Sequence, residues 1–182
     1  MKNIELLSPA GDSEKLKTAF EYGADAVYFA GQKFGLRAYA KNFEKDQIKE
    51  NVDYAHSLGK KAYITLNIIA HNIDFKNLEE YIKYLNKIKV DAVIVADLGV
   101  LAFVKKHAPN LEVHISTQAN ISNKYTAKQF ADMGASRIIL ARELHINEIK
   151  EIRDFLPESV ELESFIHGAM CMAYSGRCML SK

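Results

Sequence analysis

Seven short runs rich in Val, Ile, Leu and Tyr recur along the chain, with amphipathic stretches between them. The runs are Ile4–Leu7, Ala26–Phe29, Ala62–Leu66, Ala92–Val95, Glu112–Ile115, Arg137–Leu140 and Val160–Glu163. They are mostly apolar, which suits parallel strands covered on both faces. The stretches between them space apolar residues three and four apart. Leu16, Ala19 and Phe20 do so within Ser13–Tyr22, and Ile48, Val52 and Ala55 within Asp46–Leu58. Leu78, Tyr81, Ile82 and Leu85 repeat the pattern within Phe75–Ile88. That spacing predicts helices packed on one side. Asp97–His107, Lys124–Met133 and Ile146–Phe155 are predicted helices too, and Gly23, Gly59 and Gly134 stand where a left-handed residue ends a helix.

The joints repeat as well. Gly23–Val27, Val90–Ile94 and Gly134–Ile138 each carry a helix end into a strand start with similar residues. Such an echo marks a repeating β/α unit, which leaves an open doubly wound sheet or a (β/α)₈ barrel. The first turn, Ser8–Asp12, lacks the G-x-G-x-x-G spacing of a dinucleotide-binding sheet. The predicted fold is therefore an α/β, TIM-barrel-like (β/α)₈ architecture with parallel strands. It is expected to be incomplete, because seven units are visible where the fold takes eight over about 250 residues. No linker divides the 182 residues, so residues 1–182 are expected to form a single barrel domain, the N-terminal part of a longer protein.

Charge narrows the function classes. Lys+Arg 24 against Asp+Glu 23 leaves a net charge of +1, so no whole-chain field points to nucleic acid or a membrane surface. No apolar run approaches the length of about 18 residues that crosses a bilayer, and the opening residues do not read as a signal peptide. Two cysteines without an export signal point to reduced thiols in the cytoplasm.

In a barrel the chemistry sits at the C-terminal ends of the strands. Reading those positions gives Ser8, Gly11 and Asp12; Gln32 and Arg37; Asn67; Asp97; Ser116, Thr117 and Gln118; Arg142 and Glu143; then Glu163 and His167. Arg37 and Arg142 are candidate substrate-binding residues, since a guanidinium suits bidentate binding of a carboxylate or phosphate; Asn67 and Gln118 complete that set. Asp12, Asn67 and Asp97 equally suit helix caps or turns, and Arg142 beside Glu143 suits a local ion pair. Ser116 and Thr117 lack a nucleophile-elbow motif. His56 and His107 fall in helix C-terminal turns, where a cation suits the dipole, and His114 lies within a strand.

The final segment carries the strongest signal. Both cysteines, Cys171 and Cys178, follow the last strand in a loop that also holds Gly168, Gly176 and Arg177. Two thiols there suit a redox pair, a disulfide or part of a metal site, whereas buried apolar cysteines fit such a loop poorly.

Glu163, Phe165, Gly168, Ala169, Met170, Cys171, Gly176, Cys178, Leu180 and Ser181 match every defining position of one long signature. The segment thereby resembles the collagenase-like peptidase family of unassigned catalytic type. Glu5–Asp12, Ser116–Asn120 and Ala141–Leu144 look like the same family, so the resemblance covers essentially the whole chain.

The resemblance implies two kinds of activity. The family is named for collagenolysis, and a peptidase would need Cys171 with His167 as its cysteine–histidine pair, beside Glu163. Other members act in oxygen-independent hydroxylation of a tRNA wobble uridine, a ribosomal RNA cytidine or a ubiquinone precursor. They carry a four-iron iron–sulfur cluster on four cysteines, and prephenate is implicated as hydroxyl source. Cys171 and Cys178 match the first two cluster ligands, and this chain alone does not complete the set. Prephenate is a small dicarboxylate, which would give Arg37 and Arg142 their ligand. The expectation is the N-terminal barrel of an iron–sulfur-dependent, prephenate-linked RNA hydroxylation protein acting on tRNA at the wobble uridine. The 182-residue chain by itself is expected to be inactive. A collagenase-like peptidase is the alternative, and a non-enzymatic small-molecule or RNA-binding module is the third.

Overall fold

A computed structural model of the chain describes residues 4–35, 43–168 and 172–176. The strands are β1 (Leu7–Pro9), β2 (Ala26–Ala30), β3 (Lys61–Leu66), β4 (Ala92–Val95), β5 (Glu112–Ile115), β6 (Arg137–Ile139) and β7 (Glu161–Glu163). The helices between them are α1 (Ser13–Glu21), α2 (Lys45–Ser57), α3 (Phe75–Lys87), α4 (Leu98–His107), α5 (Lys124–Asp132) and α6 (Ile146–Phe155). Every neighbouring strand pair is parallel and the sheet order follows the chain from β1 to β7. The expected β/α barrel topology is therefore present as a curled, seven-stranded partial barrel.

One boundary differs from the sequence expectation. The first strand is Leu7–Pro9 rather than Ile4–Leu7. Ile4 is 93% exposed, and Leu6 spends its amide on the Asp25 carboxylate at 3.0 Å. Pro9 is tolerated because it closes an edge strand, where a missing donor leaves no rung unpaired.

Local chemistry sets the helix starts. Asp12, Asp97 and Asn123 each accept an N–H from the first turn of α1, α4 and α5, at 2.8, 2.9 and 2.9 Å. Glu44 and Gln47 form a reciprocal capping box on α2. The echoed joints have a structural use too. Asp25 accepts the Leu6 amide, Asp91 accepts the Ala62 amide at 2.8 Å, and Ser136 donates to Val113 O at 3.3 Å. Each joint thus staples the start of the neighbouring strand.

Successive strand residues face opposite sides. Val27, Phe29, Ile64, Leu66, Val93, Val95, Val113, Ile115 and Ile138 pack outward with helix residues in one core. Ala26, Tyr63, Ala92, Ile94 and Ile139 form a second, inner cluster, with Leu7 and Tyr28 against it. The two layers place the strand C-termini, and the loops that follow them, at one end of the barrel.

Candidate functional site

Two polar groups stand out, one inside the barrel and one on its strand-end face. Inside, Arg137 at the start of β6 is 7% exposed at its side chain and is ringed by carboxylates. Its Nη1 lies 2.7 Å from Glu5 and 3.3 Å from Glu163, and its Nη2 lies 2.5 Å from Glu161. Tyr63 donates to Glu5 at 2.9 Å, with the guanidinium 5.4 Å from its ring centroid. Charge-assisted bonds of this kind offset the desolvation of a buried arginine. Burial pushes the Glu5 carboxyl up, but Arg137, Tyr63 and Lys61 outweigh it and hold it below the ordinary range. Glu163 moves the other way: burial raises it, against the pull of Arg137.

His114 of β5 stacks edge-on to Tyr63, ring centroids 4.7 Å apart. It is 1% exposed and neither ring nitrogen has a hydrogen-bond partner; Glu112 lies 3.7 Å from Nε2. Burial lowers its pKa, which favours the neutral ring.

On the strand-end face, residues 172–176 cross the ends of β5 and β6. Ser175 is 3% exposed. Its amide donates to Glu143 Oε1 at 2.8 Å, and its Oγ accepts from the Arg142 amide at 3.3 Å and the Thr117 hydroxyl at 3.5 Å. The Arg142 guanidinium donates to Ala173 O at 2.8 Å. Burial pushes Glu143 up, but its hydrogen bonds with Ser175 outweigh it and hold the carboxyl below its usual value.

The sequence-predicted residues divide accordingly. Gln118 and Arg142 both border residues 172–176 at the strand ends, the Gln118 carbonyl against Gly176 and the Arg142 guanidinium on Ala173 O. Asn67 follows β3 on the same face. Glu163 lies within the barrel on Arg137, and His167 is exposed beyond β7. Asp12 and Asp97 are helix caps. Arg37, Cys171 and Cys178 lie outside the described residues. Among the described residues no group of three or more His, Cys, Asp or Glu side chains is placed to hold a metal ion, and no helix is long and apolar enough to cross a membrane.

Sequence reasoning missed Arg137 and Ser175. For Arg137 a signal existed: Arg137 before Ile138, and Glu161 and Glu163 about Leu162, alternate charge and hydrocarbon inside strands. For Ser175 there was none, because its partners are 32 and 58 residues away.

Comparison with known proteins places this geometry. A family model described as Peptidase family U32 matches residues 11–182. The chain is 48% identical over 180 residues to tRNA hydroxylation protein P1 of Bacillus subtilis, covering 99% of this chain and 42% of that protein. It is 43% identical over 178 residues to the 23S rRNA 5-hydroxycytidine synthase of Escherichia coli, covering 98% of this chain and 26% of that protein. The chain therefore spans less than half the length of these curated relatives. A solved U32 peptidase superposes with a TM-score of 0.76 at 21% identity, over 89% of this chain and 68% of that one, which shows the shared fold.

Proposed function

Because the chain belongs to peptidase family U32, we propose that it is the barrel part of an RNA hydroxylation protein, with tRNA as its target. The observation that carries this reading is the 48% identity, over nearly the whole chain, to a protein named for tRNA hydroxylation. The rRNA hydroxycytidine synthase, similar over the same span, supports pyrimidine hydroxylation as the shared chemistry. Within that reading the target is the wobble uridine, modified at carbon 5.

The reading includes a four-iron iron–sulfur cluster and prephenate as hydroxyl source. The donor chemistry fits in kind: cysteine side chains provide the thiolate ligands such a cluster takes, and Cys171 and Cys178 would supply two of the four needed. When bound, the cluster would supply redox chemistry that no side chain offers. This chain's own contribution is the strand-end face, where Arg142 and Gln118 border the segment that joins the two cysteines. Arg142, together with Arg37, is suited to a small dicarboxylate.

The test is nucleoside mass spectrometry on tRNA and rRNA from cells with and without the gene. Loss of a pyrimidine carrying one extra oxygen from the tRNA pool supports the proposal. Unchanged hydroxylated nucleosides in both pools, with hydrolysis of a collagen-type peptide by the purified protein, would replace it with the peptidase reading.

A further inference from the structure

Tyr174 stands on the strand-end face with its side chain in water and its backbone neighbours fixed. It is 53% exposed. On one side the Arg142 guanidinium donates to Ala173 O at 2.8 Å. On the other the Ser175 amide donates to Glu143, and the buried Ser175 hydroxyl accepts from the Arg142 amide. The ring therefore cannot withdraw into the protein without breaking the bonds on either side of it. A large aromatic held half in water forgoes the burial that usually stabilises one, and gains it only when a flat partner covers the ring.

Other exposed tyrosines are placed differently. Tyr22 caps the C-terminal end of α1, at the far end of the barrel from the strand ends. Tyr125 on α5 packs edge-on to Phe155 of α6, with ring centroids 5.5 Å apart. Tyr174 has no ring partner among the described residues.

The charge pattern says what kind of RNA contact this chain can offer. Affinity for nucleic acid usually comes from cations on phosphates. Here the net charge is +1, and Lys49, Lys83, Lys128 and Lys150 each pair with a carboxylate one turn away on the same helix. A chain so neutralised holds single-stranded RNA better by base faces than by its backbone, because every base offers a π-face to an aromatic ring. Chemistry on a base also takes that base out of its stack, which leaves base faces uncovered.

We propose that Tyr174 is a base-stacking platform: pinned between Ala173 and Ser175 on the strand-end face, its ring receives an unstacked base of the single-stranded RNA that the protein binds. The inference rests on the RNA reading above and names how this face takes hold of its substrate. Pre-fixing the ring before binding lowers the ordering cost of the contact.

The test is fluorescence anisotropy on the whole protein with a labelled oligouridylate of about ten nucleotides, beside a duplex RNA of equal length. Tyr174→Ala is expected to weaken oligouridylate binding about tenfold, the effect of losing one base–aromatic stack. Tyr174→Phe keeps the ring and is expected to stay within about twofold of wild type. Tyr174→Leu keeps apolar bulk without a π-face and is expected to lose nearly as much as Tyr174→Ala; it serves if that variant does not fold. The slope of affinity against salt should be the same in all four proteins, since no phosphate contact is removed. Duplex RNA, whose bases stay stacked, should bind wild type and Tyr174→Ala alike. Circular dichroism confirms that the variants compared are folded. Equal oligouridylate affinity in wild type and Tyr174→Ala, a loss in Tyr174→Phe as large as in Tyr174→Ala, wild-type affinity in Tyr174→Leu, or no oligouridylate binding by wild type would each overturn the proposal. None of these readouts depends on hydroxylation, so unchanged nucleosides in cells would sink the reading above and leave the stacking result standing.

Discussion

Arg137 Nη1 lies 2.7 Å from Glu5 Oε1 although the two residues are 132 positions apart in the chain. The bond joins the approach to β1 with the start of β6, so it records the curl of the sheet in one contact. Removing the arginine leaves Glu5 and Glu163 facing an interior without their cation. Arg137→Ala is expected to cost about 3–5 kcal/mol at neutral pH, the usual penalty for breaking a buried pair. Urea denaturation followed by circular dichroism measures it; a loss below about 1 kcal/mol, as at a surface pair, would contradict the assignment.

The two carboxylates on Arg137 predict opposite pH slopes. Glu5 is held below its ordinary value, so its stabilisation is full above the unfolded pKa and is lost as pH falls through the folded one. Glu163 is raised, so the unfolded chain releases its proton first and stability falls as pH rises through the window above the ordinary value. Glu163→Gln should therefore flatten the decline in stability above the ordinary carboxylate range, and Glu5→Gln should flatten the loss below it. Chemical denaturation across pH 3 to 8 would separate them; parallel profiles for the two variants would refute the assignment.

His114 carries two buried nitrogens without hydrogen-bond partners among the described residues, and its ring packs edge-on to Tyr63. Burial lowers its pKa, so the unfolded chain binds a proton that the folded chain refuses as pH falls below the ordinary histidine value. His114→Phe removes the unpaired polar atoms and keeps an aromatic ring. The variant is expected to equal or exceed wild-type stability by about 1 kcal/mol at neutral pH, with a larger margin at pH 5. A thermal melt at both values is sufficient, and a smaller margin at pH 5 would count against a neutral buried ring.

Lys89 occupies the helix-to-strand joint after α3 at φ 60°, where the joints after α1, α2 and α5 use Gly23, Gly59 and Gly134 at φ 97°, 66° and 96°. A Cβ is strained in that region. Lys89→Gly is expected to raise stability by about 0.5–1 kcal/mol, read by denaturant midpoint, while Gly59→Ala, with open space around its Cβ, should lose a similar amount.

The joints also show what could be read beforehand. Gly23, Gly59 and Gly134 announced themselves because left-handed backbone favours one residue, and runs such as Ala92–Val95 announced strands because a doubly covered strand excludes polar side chains. β1 was misplaced because Ile4–Leu7 looks apolar, yet the pairing partner of β2 begins at Leu7 and runs through a proline. The strand-end face was legible as a set of positions, since β/α topology dictates which residues follow each strand. Its internal wiring was not: the Glu143–Ser175 bond joins residues 32 positions apart, and no local propensity encodes so distant a contact. Asp12 and Asp97 illustrate the converse, polar residues at the right end of the barrel whose oxygens are spent on helix N-termini.

The central claim, that the cysteine-bearing segment on the strand-end face serves RNA hydroxylation, is tested most directly by complementation. Cells lacking the gene receive the whole gene as wild type or Cys171→Ala, and their digested tRNA is analysed by mass spectrometry for a uridine carrying one extra oxygen. The account predicts that wild type restores this nucleoside and Cys171→Ala does not, with both proteins present at equal level. Full restoration by Cys171→Ala would contradict it.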